Sequence, residues 1–160
     1  MESNLPAMDA RGPVVDEARI ASFEQALGSA LPAAYRRFLL TTNGGTPNDR
    51  NAELAGKHSV VVHVLKSLDE PEDGPRLTPT PEFAADFPSL DLLEIGYDAF
   101  GNRIVLVVRG DRRGEVWFQS LTDPQPEWAN PRLAWFERRD LKKLADDFDM
   151  FLKALGPVDE

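Results

Sequence analysis

The run LLEIGYDAFGNRIVLVVRGDRRGEVWF, from Leu92 to Phe118, decides the architecture of this chain. Leu92 to Tyr97 reads as a strand, and Asp98-Ala99-Phe100-Gly101-Asn102 has the residues of a tight turn. Ile104 to Val108 is apolar at every position, which predicts a central strand covered on both faces. Gly110 to Gly114 is a short polar loop, and Val116 to Phe118 opens the returning strand, with Trp117 on the opposite face from its two neighbours. Strand, turn, strand, loop and strand in this order make an antiparallel meander.

Helices flank the meander on the N-terminal side. Asp16 is a good N-cap, Glu17 suits the first turn, and Val15 with Ile20 has the spacing of a hydrophobic staple. Ile20, Phe23 and Leu27 recur at helical period, and Gly28 supplies a left-handed stop. Pro32 suits the first position of a second helix whose apolar face is Tyr35, Phe38 and Leu39, with Arg36 and Arg37 turned to solvent. Asn43-Gly44-Gly45 ends it, and Pro47 forbids continuation. Val60 to Leu65 is β-branched and predicts a strand, whereas Pro81 to Phe87 predicts a short helix. Leu141, Leu144, Phe148, Phe151, Leu152 and Leu155 keep helical period up to Gly156-Pro157, which predicts one closing helix. The expected class is α+β: an antiparallel sheet packed by an N-terminal helical hairpin and a C-terminal helix. Residues 1–13, with Pro6, Gly12 and Pro13, are expected to be a frayed tail, and 14–157 a single domain with an acidic, Pro-rich insertion at 66–91.

Composition narrows the function. The chain has 160 residues, of which 42% are hydrophobic and 28% charged, so a globular core is expected. There is no cysteine, which removes disulfide scaffolds, zinc–thiolate sites and cysteine nucleophiles together. No run of about 18 apolar residues is present, and Met1 to Pro13 lacks an apolar secretory stretch, so a cytoplasmic location is expected. The 27 acids and 18 bases leave a net charge of −9. Between Lys66 and Asp98 lie nine acids and only two bases, Lys66 and Arg76, so this stretch holds −7 of the −9. Direct binding of nucleic acid is not expected, because phosphate contacts need clustered Lys and Arg. The acidity either steers a basic protein partner or keeps a solvated loop soluble.

Three blocks together resemble the SUKH superfamily. The first is Leu27-Gly28, Leu31-Pro32, Tyr35, Phe38-Leu39 and Asn43-Gly44-Gly45. The second is the run from Leu92 to Phe118, with Ile95-Gly96, Asp98, Gly101-Asn102, an apolar strand, then Gly114, Val116 and an aromatic. The third, Leu144 to Leu152, is similar to a closing helix in which Ala-Asp-Ser-Phe is frequent, with Asp147 here in place of Ser. Segment 66–91 departs from the pattern. The superfamily includes a fungal cell-wall-synthesis regulator and many bacterial immunity proteins. The resemblance implies a non-catalytic binding protein, most often a neutraliser of a toxin, and secondarily an intracellular scaffold or regulator.

No catalytic constellation competes with this reading. His58 and His63 are five apart on one strand, so their side chains fall on opposite faces unless a bulge intervenes. None of Ser22, Ser29, Ser59, Ser67, Ser89 and Ser120 sits in a Gly-x-Ser-x-Gly turn, and Gly44-Gly45 lacks the lysine of a phosphate loop. Arg109-Gly110-Asp111 reads as hairpin loop rather than adhesion tripeptide, and Asp146-Asp147 as a solvated helix face. No metal, cofactor or catalytic set is expected, and an unrecognised hydrolase is the least favoured reading. Trp128, in a Pro-rich loop, either anchors a partner or folds its ring over the sheet edge. The leading partner contacts are Asp86, Asp91, Glu94 and Asp98, placed beside a strand and a turn that hold them. Their expected target is a basic toxin domain, for example a nuclease, whose positive cleft meets phosphates. The Pro-rich 69–82 portion carries an ordering cost if it binds.

Overall fold

The computed structural model describes residues 8–49, 51–54, 58–69, 74–79, 91–120 and 141–155. Their elements run β1 (Met8–Arg11), α1 (Glu17–Leu27), α2 (Ala33–Thr41), β2 (Gly45–Pro47), β3 (Asn51–Leu54), β4 (His58–Leu65), β5 (Leu92–Asp98), β6 (Arg103–Val107), β7 (Val116–Gln119), β8 (Leu141–Ala145) and α3 (Phe148–Ala154). The sheet order is β1-β2-β4-β5-β6-β7-β8, with every neighbour antiparallel and β3 added beside the first half of β4. The expected α+β class holds, and the meander β5–β6–β7 stands at its centre.

Alternation along β6 divides the interior. Ile104, Leu106 and Val108 face the helices, in one cluster with Leu93, Ile95, Val116 and Phe118 from the neighbouring strands. The helices contribute Ile20, Phe23, Leu27, Tyr35, Phe38, Leu39, Phe148, Phe151 and Leu152 to that cluster. Val105 and Val107 face the other way, into a second cluster with Leu92, Trp117 and Leu141. The strand expected to be covered on both sides is so covered. Every residue of β6 after Arg103 is buried.

Local signals set α1 and α2. The Asp16 carboxylate accepts the Arg19 N–H at 2.9 Å, and buried Val15 and Ile20 close the staple. Gly28, with φ 83°, turns its N–H back to the Glu24 carbonyl. Pro32 occupies the N-cap of α2, one residue before the expected position. Arg36 and Arg37 do not simply face solvent. Arg36 ion-pairs with Glu17 and Glu24 of α1, and Arg37 with Asp149 of α3 at 2.7 Å. Beyond Thr42 the chain reverses through Asn43 (φ 48°), Gly44 (φ 79°) and Gly45 (φ 112°). A Cβ on Gly44 would overlap the Lys66 carbonyl, so close approach as well as φ requires glycine there.

Three elements differ from the sequence reading. Residues 8–11, expected to fray, form edge strand β1 on β2, and Met8 packs against the core. Leu141 and Leu144, expected on the closing helix, lie on β8, and the helix starts only at Phe148. Asp147, expected on a solvated helix face, is the N-cap of α3: its side chain accepts the Met150 N–H at 2.8 Å. Ser and Asp are interchangeable in that role, which explains the substitution in the third block. Finally, the segment after β4 is tied down where it is described. Leu68 and Leu77 are buried, and Ser67 bridges Arg76 in parallel. Pro81 to Phe87, with its expected helix, lies outside the described residues.

Candidate partner-binding site

The β5–β6 turn is built around one carboxylate. Asp98 Oδ1 accepts the backbone N–H groups of Phe100 at 2.9 Å and Asn102 at 2.8 Å. Oδ2 accepts Asn102 Nδ2 at 3.0 Å, and both residues are buried. The Asp98 N–H and Asn102 carbonyl close the hairpin at 2.9 Å, and Gly101 (φ 86°) supplies the left-handed step. Asp98 is therefore directed into its own turn: Oδ1 holds two backbone donors, Oδ2 holds the Asn102 side-chain amide, and the residue is buried.

Glu94 is similarly engaged. On the sheet face away from the helices its carboxylate joins Lys66 Nζ at 2.6 Å and Arg103 Nε at 3.1 Å. Arg103 also donates to Gln119 Oε1 at 3.1 Å. The resulting polar ladder runs from the end of β4 across β5 and β6 to β7, beside the apolar cluster of Leu92, Val105, Val107, Trp117 and Leu141. With only about an eighth of its side chain exposed, Glu94 is a cross-strand tie. A second set lies near it. Glu115 accepts Trp117 Nε1 at 2.9 Å and pairs with Arg112, whose guanidinium lies 5.9 Å from the Trp117 ring centroid. Lys143 bonds Asp146 at 2.7 Å, and that hydrogen bond, ahead of charge attraction, holds the ammonium pKa above its ordinary value.

The other expected contacts are distributed differently. Asp91 is half-buried just before β5, and its carbonyl accepts the Val108 N–H at 2.7 Å. Asp69, exposed, pairs with Arg19 at 2.8 Å. Asp86 and Trp128 lie outside the described residues. Of the nine acids between Lys66 and Asp98, four (Asp69, Asp91, Glu94 and Asp98) are described, and the structure does not gather them into one cluster. What the sequence reading missed at this end of the sheet is Phe100. Its ring is 84% exposed at the tip of the turn. A large apolar residue at the tip of an Asp-x-x-Gly-Asn turn was the available signal.

The remaining motifs are structural. Arg109, the first residue of the Arg-Gly-Asp tripeptide, donates to the Leu27 carbonyl, Arg113 donates to the Ala30 carbonyl at 2.8 Å, and Ser29 Oγ donates to the Val108 carbonyl. The β6–β7 loop is thereby fastened to the α1–α2 junction. His63 is exposed, with its ring 5.7 Å from that of Tyr97, and β4 shifts register between Val62 and Val64. Among the described residues no group of three His, Cys, Asp or Glu could hold a metal ion. None of the described helices is long and apolar enough to cross a membrane.

A two-faced antiparallel sheet, a helical hairpin followed by an Asn-Gly-Gly reversal into β2, and a carboxylate-locked β5–β6 turn define a small α+β domain. The sequence profile of the SMI1/KNR4 family (SUKH-1) matches residues 14–154, and the chain belongs to that family. No curated protein matches the chain. The family is in general a non-enzymatic immunity and regulatory fold, and its members bind partner proteins.

Proposed function

We propose that this chain is an immunity protein that neutralises a bacterial toxin by direct binding in the cytoplasm, with a basic toxin domain such as a nuclease as its partner. Family membership over 14–154 carries the reading, and the charge distribution supports the kind of partner. A chain at −9, with −7 between Lys66 and Asp98, attracts a positive cleft over a distance of about one Debye length, roughly 8 Å in physiological salt. Asp86 and Asp91 are the proposed charge contacts, with Trp128 as an apolar one. Glu94 and Asp98 act one step back: Glu94 ties β5 to Lys66 and Arg103, and Asp98 holds the β5–β6 turn.

The test is stopped-flow association with a catalytically inactive form of the toxin-domain protein encoded beside this chain's own gene. Asp86→Asn with Asp91→Asn is expected to slow association about tenfold at low salt, with the difference closing at high salt. Glu94 is left out of that variant, because removing its charge would strand Lys66 and Arg103. No complex at micromolar concentration removes the immunity reading and leaves the regulatory one.

A further inference from the structure

The outer face of the sheet is buried although no described helix packs on it. Leu92, Val105 and Val107 are at most 1% exposed, Leu141 2% and Trp117 7%. These five come from strands alone, because the buried residues of α1, α2 and α3 all join the cluster on the opposite face. Even the charged side chains beside them, Lys66, Glu94 and Arg103, are no more than 19% exposed. An open sheet face would leave such residues in water. The connection between β7 and β8 is also long for the ends it joins. Gln119 and Leu141 are partners in an antiparallel ladder, where a turn of about two residues suffices. Twenty residues, 121–140, intervene instead, beyond the roughly 12–15 at which connections without a task become uncommon. They carry Leu133, Trp135 and Phe136 within four positions, shortly before Leu141 enters the sheet as a member of the buried cluster.

We infer that the occupant of the outer face is this chain's own segment 121–140, with Leu133, Trp135 and Phe136 set against Val105, Val107 and Trp117. Length and end points select it. The segment leaves and rejoins the sheet at paired positions on β7 and β8, the strands that supply Trp117 and Leu141 to the cluster. Of the other stretches outside the described residues, 80–90 alone exceeds seven residues. It holds Glu82 and Asp86 with no base, a composition suited to water. The consequence is functional: the outer face is internal surface and is closed to a partner, which must approach the turns, the strand edges or the helices. This inference stands apart from the proposed function, which assigns Trp128 and none of these three residues to the interface.

The experiment uses the whole chain and its lack of cysteine. Val107→Cys and Leu106→Cys each place one thiol on β6, on opposite faces of the sheet, and both positions are fully buried. Adding Trp135→Ala with Phe136→Ala is expected to speed maleimide labelling at position 107 about 30-fold and at position 106 less than about threefold. Phe83→Ala with Phe87→Ala is expected to leave both rates unchanged. A rise at 107 with the Phe83 and Phe87 pair, and none with the Trp135 and Phe136 pair, overturns the inference and makes 80–90 the occupant. An equal rise at both thiols reports general loosening, and the unmodified chain then decides by hydroxyl-radical footprinting, with Phe100, 84% exposed, as the free-ring standard. Oxidation of Trp135 and Phe136 about tenfold slower than that of Phe100 supports the inference, and oxidation as fast as Phe100 overturns it.

Discussion

Asn43 carries more of the fold than its size suggests, and replacing it tests how the N-terminal half is joined to the sheet. Its Nδ2 donates to the Pro13 carbonyl at 2.6 Å and to the Leu68 carbonyl at 2.9 Å, while Oδ1 accepts the Leu68 N–H at 2.9 Å. The residue is 1% exposed, and Leu68 is fully buried. One side chain therefore ties the approach to α1, the end of α2 and the exit from β4. Asn43→Ala leaves the Leu68 N–H as a buried donor without a partner, a loss of about 1–3 kcal/mol. Two carbonyls lose a donor as well, and alanine at φ 48° adds about 1 kcal/mol of backbone strain that asparagine largely avoids. The sum is about 3–5 kcal/mol. For a chain of this length that corresponds to a melting temperature lower by roughly 10–15 °C. Asn43→Gly removes the same bonds without the strain, so it should recover about 1 kcal/mol relative to alanine. Urea unfolding followed by tryptophan fluorescence and far-UV circular dichroism measures both. An alanine variant within about 1 kcal/mol of the parent would refute the claim that this amide holds the three segments together.

Other substitutions probe separate parts of the fold. Phe148, 1% exposed, meets the rings of Tyr35 at 5.0 Å and Phe38 at 4.9 Å, so Phe148→Ala should cost about 3–5 kcal/mol by denaturant titration. Gly44→Ala should lose clearly more stability than Gly101→Ala, because a Cβ at 44 meets backbone whereas at 101 it enters open space and only the φ term, about 1–2 kcal/mol, remains. Burial pushes the Tyr35 phenol well above its ordinary 10, so the stability linked to it is complete below pH 10 and falls as pH rises further, by about 1.4 kcal/mol per pH unit. Tyr35→Phe should abolish that part of the alkaline slope. It should also be neutral or stabilising near pH 7, since the hydroxyl has no hydrogen-bond partner among the described residues.

The parts of this fold that can be read from sequence are those whose determinants are local. α1 is bounded by its own residues, Asp16 at one end and Gly28 at the other, and β6 announces its double burial through five consecutive apolar positions. β1 has no such signature. Its strand state comes from antiparallel pairing with residues 45–47, more than 30 positions away, and nothing in Met8 to Arg11 encodes that partner. The C-terminal segment failed for a different reason. The apolar spacing from Leu141 to Leu155 fits a helix throughout, yet Leu141 belongs to the second cluster and Phe148 to the first. A continuous helix has one apolar face and could not serve both sides of the sheet. The chain satisfies both by running as a strand to Ala145 and starting the helix afresh at the Asp147 cap.

The same distinction governs the candidate site. A sequence shows that a carboxylate exists but not what it bonds, so Asp91, Glu94 and Asp98 enter a charge count with equal weight. Distance along the chain then separates them. Asp98 bonds residues 100 and 102, and a turn containing Asp, Gly and Asn signals that use locally. Glu94 bonds Lys66 and Arg103, partners that become adjacent only once β4, β5 and β6 are in register, so its role was invisible before the sheet was known. Phe100 inverts the logic. Apolar residues in a sequence default to the core, and only the structure shows that the turn which consumes Asp98 and Asn102 internally leaves this ring outside. The acid that a charge count treats as free surface is the brace of the turn, and the aromatic beside it is the residue left outside the core.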